Sequence, residues 1–220
     1  GNISSAKDYV GGIFGSLSGN NPRGHYPQTI SVNSSSNEGD VAGNKFIGGV
    51  VGGGTGQYES ITQASNEGNV TGTKYIGGIA GQITDISSSI NKGAITGITT
   101  GMPYSDPIYV GGIAGISNNV QYNKNEGTVT NQSIAKYTGG IVGYSSGKEF
   151  LQNENTGQII SSGNYTGGIA GYAVINASSS LSNNTNSGTV DGMSYVGGLI
   201  GFLELTGNDN VSNISNGINS

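Results

Sequence analysis

At 220 residues, with 42 Gly, 10% charged residues and a net charge of -5, the chain departs from ordinary globular usage, where Gly is about 7% and charge about 25%. Its eight Lys and Arg form no cluster, which excludes nucleic acid or an anionic membrane surface as the expected partner. Cysteine is absent, which excludes disulfides and Cys-ligated metals, and no apolar run approaches the roughly 20 residues of a membrane-spanning helix.

Taken in chain order, the first element is the heptad Tyr9-Val-Gly-Gly-Ile-Phe-Gly15, followed by a Pro-bearing insertion over residues 20–27 that holds Arg23, His25 and Tyr26. A second signature, Asn-x-Gly-x-(Val/Ile), then appears over residues 37–41 and leads to the heptad Phe46-Ile-Gly-Gly-Val-Val-Gly52. The pair of signatures recurs at 66–70 and 75–81, and at 91–95 and 109–115. The latter two are separated by a second insertion, residues 101–107, with Tyr104 and Asp106. Three further pairs follow, at 125–129 and 137–143, 155–159 and 165–171, and 186–190 and 195–201. The Gly-Gly pairs begin at 11, 48, 77, 111, 139, 167 and 197, so the spacings are 37, 29, 34, 28, 28 and 30. Self-similarity at such a period marks a repeat architecture.

Each unit reads as β. Its apolar pieces are short, rich in Ile, Val and Tyr, and bounded by Gly, Asn and Ser, with no stretch at helical period. Strands over residues 75–80, 60–63 and around Val70 give three short strands per coil. One coil cannot bury its few apolar side chains, so coils must stack. The expected fold is an all-β, parallel right-handed β-solenoid of about seven coils near 30 residues each, a single domain over residues 1–220; strand spacing of about 4.8 Å makes a rod about 30 Å long.

Stacking turns repeat positions into columns. Heptad position five, with Ile13, Val50, Ile79, Ile113, Ile141, Ile169 and Leu199, is assigned to the core. Position two is also apolar or Thr, and the two differ in parity, so the Gly-Gly pair must bend the chain if both are buried. The direction of the aromatic column is left open. The Asn residues of the second signature are expected to form an amide ladder along an edge of the rod, with the Gly after Asn-x at a turn of positive φ.

The copies Gly139-Gly-Ile-Val-Gly143, Gly197-Gly-Leu-Ile-Gly201 and Gly48-Gly-Val-Val-Gly52 resemble the GLUG motif, a short Gly-Gly-Leu-Val-Gly repeat of bacterial surface and secreted proteins that include adhesins and immunoglobulin A peptidases. Ile usually stands here where that motif has Leu. The resemblance implies an exported bacterial array, extracellular or on the cell surface, and carries no active-site residue. The start, Gly1-Asn2-Ile3, lacks a signal-peptide layout, and the chain reads as a fragment of a longer surface protein.

Catalytic readings fare poorly. His25 is the one histidine, so neither His-Glu-x-x-His nor a triad can be built, and His25 reads as a loop residue. Stacking would place Glu38 beside Glu67, near the carboxyl separation of retaining glycosidases. The column continues with Lys92, Glu126, Thr156 and Ser187, however, as a solvated edge does. No Asp follows the heptad as in calcium-binding solenoids, so no metal and no cofactor are expected. Thr71, Thr96, Thr128, Thr130 and Thr189 suggest an ice-binding face, interrupted by Asp40, Gln158, Ile160 and Asp191. Insertions in solenoids emerge as loops that bind partners, which makes Arg23, Tyr26, Tyr104 and Asp106 the expected ligand-binding residues.

The sequence thus points to a non-enzymatic bacterial cell-surface module acting in adhesion or as a rigid stalk, with a host glycan or a matrix or surface protein as partner. It is expected to be a monomer without membrane insertion. The alternatives are an accessory non-catalytic region of a secreted peptidase or glycan-acting enzyme and, lower, an ice-binding or polysaccharide-processing β-helix.

Overall fold

The computed structural model describes residues 1–19, 29–54, 58–98, 107–134, 136–176, 178–206 and 213–220. The described residues are all β, without a helix. Their strands pair in parallel, coil on coil, as a β-solenoid of about six turns near 30 residues each. One coil shows the plan: Ser65–Asn66, Val70–Gly72, Lys74–Gly77 and Ala80–Ser87 each enter a different sheet. Equivalent residues stack in register, Asn66 between Asn37 and Asn91, Val70 between Val41 and Ile95, Ile76 between Ile47 and Val110. Three sheets have seven strands; the fourth has twelve, because the long strand of one coil can face two short ones, as Ala80–Ser87 faces Val51–Gly54 and Glu59–Thr62.

The coil therefore has four strand positions where the sequence suggested three, and the difference lies in the heptad. Its Gly-Gly pair ends one strand and turns the chain into the next sheet, so Ile76 and Ile79, of opposite parity, are both buried but in separate apolar clusters. The column at position five is fully buried from Val50 to Ile169, while Ile13 in the first coil is exposed and Leu199 in the last is partly buried, since each has a neighbouring coil on one side only.

What the second Gly provides is room. A Cβ at Gly112 would lie 2.1 Å from the carbonyl oxygen of Gly140 in the next coil and 2.4 Å from Cγ of Asn125. Gly78 meets Gly112 and Asn91 in the same way. The Asn column thus runs inside the rod, against the glycine corner, and not along an edge. Asn66, Asn91, Asn125, Asn155 and Asn186 are fully buried. From Asn37 to Asn186, each side-chain Nδ2 donates to Oδ1 of the next Asn at 2.7–2.8 Å, the last acceptor being Asn219. Each also donates to the carbonyl of the Gly two residues on, for example Asn125 to Gly127 at 2.8 Å. An amide with both donor and acceptor occupied can be buried without the desolvation penalty of an unmade bond. A shorter second row, Asn123, Asn153 and Asn184, is buried beside it.

The Gly of the Asn-x-Gly signature does not have positive φ. A Cβ at Gly127 would lie 2.0 Å from the carbonyl oxygen of Gly93, so the residue is glycine because successive backbones touch. Left-handed geometry falls three residues before each ladder Asn, at Ser34, Gln63, Ser88, Tyr122, Gln152, Asn183 and Asn216, with φ between 50° and 57°.

Two Thr replace the aliphatic residue at heptad position two, with different consequences. Thr138 bonds Asn131 and Ser161 at 2.9 Å, whereas Oγ1 of Thr166 is buried without a partner. Thr166→Val is expected to raise stability by about 1 kcal/mol, and Thr138→Val to lower it by about as much, because the second removes the acceptor of the buried Asn131 amide, while Ser161 keeps its bond from the Gly163 N–H. Urea denaturation of the two variants checks both signs.

Candidate binding face

The first heptad residue points outward. The rings of Tyr9, Phe46, Tyr75, Tyr109, Tyr137, Tyr165 and Tyr195 stack in one column, with centroids 4.4–5.3 Å apart and planes within 19° of parallel. The ring spacing is that of the coils, because the register is unbroken. Tyr9, Phe46, Tyr75 and Tyr195 hold φ between 48° and 58°, a conformation unfavourable to bulky side chains, and it turns them out at a corner of the coil.

Beside this column stands another, absent from the expectations drawn from sequence. Tyr144, Tyr172 and Phe202 stack on one another at 5.7 and 5.0 Å, and meet Tyr109, Tyr137, Tyr165 and Tyr195 edge to face. In the earlier coils the same position holds Ser16, Gly53, Gln82 and Ile116, so the aromatic wall covers only the C-terminal coils. A signal was present: an aromatic follows the last Gly of the heptad in the final three copies alone.

The face is half-buried, and that sets its chemistry. Burial pushes the phenols of Tyr109 and Tyr137 up from their ordinary range, and the hydrogen bond that the Tyr172 hydroxyl donates to the Glu204 carboxylate, followed by burial, does the same for Tyr172. These phenols stay protonated and act as donors in neutral and mildly alkaline water. Within the column each ring face is covered by its neighbour, so the surface offers ring edges and hydroxyls at coil spacing. Only Tyr9 and Tyr195, at the two ends, show more, with 39% and 59% exposure. Lys74 adds a cation, its Nζ 5.1 Å from the centre of the Tyr75 ring. A surface of aligned Tyr side chains provides large contact area at low entropic cost, as interface hot spots and paratopes do.

The other expected residues are placed as follows. Arg23, Tyr26, Tyr104 and Asp106, together with His25, lie outside the described residues. Glu67 pairs with Lys92 at 2.8 Å, and Lys124 bridges Glu126 and Glu154 at 3.3 and 3.2 Å; these are open-surface pairs worth little to stability. The hydrogen bond to Glu67, then its charge, raises the pKa of Lys92. Thr71, Thr96 and Thr130 fall in one register column, bounded by Ala42 and Ile160. Among the described residues, no group of three or more His, Cys, Asp or Glu could hold a metal ion. Comparison with models of known protein families, with curated proteins and with solved structures finds no match.

Proposed function

We propose that the chain is a non-enzymatic repeat module of an exported bacterial surface protein, acting in adhesion, with the stacked coils as a rigid support and the aromatic face as the contact surface. The observation that carries this reading is the unbroken outward column of seven aromatic rings, joined by a second column in the last three coils. Ring stacking stiffens the rod along with the two internal amide rows, but stiffness does not call for ring edges and hydroxyls left half-exposed, which lower solubility. The GLUG resemblance of the heptads supports an extracellular setting, and a host glycan or a matrix or surface protein fits a strip of ring edges and hydroxyl donors.

The test is binding of the intact chain to immobilised mucins, glycans and matrix proteins, beside a variant carrying Tyr144→Gln, Tyr172→Gln and Phe202→Gln. Gln82 already occupies this column, so the variant should fold. Binding that falls about tenfold or more in the variant is the expected result. Binding by neither protein would sink the adhesive reading and leave a stalk.

A further inference from the structure

The long strands that begin at the aromatic face end at a polar cleft of about 310 Å³ across the third to fifth coils. Its floor is the register row Asp85, Asn119 and Glu149, with Gln121 beside it and Tyr122 at the rim. Elsewhere this row holds Ser31, Ser60, Ser180 and Asn213, none of them charged. The rim breaks the repeat as well. Tyr122 sits at the left-handed corner, φ 57°, which Ser34, Gln63, Ser88, Gln152, Asn183 and Asn216 occupy in the other coils. A half-exposed aromatic in that strained conformation adds cost without adding to the core, and it occurs in the middle one of the three coils that form the floor.

Internal hydrogen bonds fix the chemistry the cleft presents. Asn119 Nδ2 donates to Asp85 at 2.7 Å, while its Oδ1 accepts the backbone N–H groups of Lys148 and Glu149 at 3.1 and 3.3 Å. Gln121 Nε2 donates to the Glu149 carboxylate. One N–H of each amide and the Asn119 oxygen are thus spent within the cleft, and the two carboxylates and the Gln121 oxygen remain as acceptors. Asp85 and Glu149 are two coils apart, about 10 Å along the rod, too far to share one cation. A ligand that satisfies this set carries several hydroxyl donors and one apolar face for the Tyr122 ring. We infer that the cleft binds a pyranose unit of a neutral glycan: Tyr122 stacks on the apolar face of the sugar, and Asp85, Gln121 and Glu149 accept hydrogen bonds from its hydroxyls. This site is separate from the aromatic strip and stands without it.

The repeat supplies its own controls, since Tyr122→Asn and Glu149→Ser install residues that other coils carry at those positions. The chain contains no Trp, so Tyr fluorescence and calorimetry would follow titration with neutral tetrasaccharides of glucose, mannose, galactose and N-acetylglucosamine. At least one tetrasaccharide is expected to bind. Tyr122→Asn and Glu149→Ser should each weaken that binding about tenfold or more at unchanged melting temperature, with no loss in Glu67→Gln, an open-surface position outside both the cleft and the aromatic strip. Absence of binding at millimolar sugar, equal affinity in Tyr122→Asn, or capture of an oligolysine peptide in place of every sugar would overturn the inference. Loss in Tyr172→Gln alone would overturn it too, and would assign the sugar to the aromatic strip.

Discussion

Asn125→Ala is expected to destabilise the protein by about 3–5 kcal/mol, among the largest effects of any single side-chain truncation here. The Asn125 amide accepts from Asn91 at 2.8 Å and donates to Asn155 and to the Gly127 carbonyl, each at 2.8 Å. Truncation leaves a donor and two acceptors buried without partners, and unmet buried groups cost about 1–3 kcal/mol each before any relaxation. Asn37, at the first position of the row, has an Asn neighbour on one side only, so Asn37→Ala should cost about half as much. Asn125→Asp keeps the shape and reverses the chemistry, because a carboxylate would face the Asn155 and Gly127 oxygens. Its folded pKa would then be raised above the unfolded value near 4. The variant should be closest to wild type below that pH and lose stability as pH rises through the folded pKa. Urea denaturation of the three variants across pH 3 to 8 measures all of this; equal costs for Asn37→Ala and Asn125→Ala would contradict the linked row.

Gly112→Ala is expected to cost at least about 3 kcal/mol, above the usual range for overpacking, because the added methyl meets backbone and a buried amide and not a flexible side chain. At 2.1 Å from the Gly140 carbonyl oxygen, the Cβ cannot be accommodated unless two coils separate, and separation would break the hydrogen bonds between them. Gly53→Ala is the contrast. Gly53 is buried too, but its Cβ would meet no backbone atom, only the Tyr9 ring at 3.2 Å and the Phe46 Cβ at 3.3 Å, so a smaller cost of about 1 kcal/mol is expected. Comparable losses for the two substitutions in urea denaturation would remove the steric account of the Gly-Gly pair.

The coil length, the β class and the core column at heptad position five were legible because each is a short-range regularity of Gly, Ile and Val. The location of the Asn row was not. A single Asn-x-Gly looks like a surface turn, and the donor and acceptor that allow the amide to be buried come from the neighbouring coils, about 30 residues away in sequence. The split of the heptad into two strands was hinted at by the conflicting parity of Ile76 and Ile79, and became definite only through the contacts of Gly78. Tyr122 and the wall of Tyr144, Tyr172 and Phe202 went unread for the opposite reason. They are departures from the repeat, and a reading that looks for what recurs passes over what does not.

The asparagine row also gives the rod a direction. All six amide-to-amide bonds point toward the C-terminal coil, and those of the shorter row, Asn123 to Asn153 to Asn184, point the same way. Aligned amides add their dipoles head to tail, as peptide units do in a helix, and each bond polarises the next. The interior is therefore an electrical vector with its positive pole at the last coil. The two ends of this rod are chemically unlike, and anything that joins them end to end has one favoured orientation.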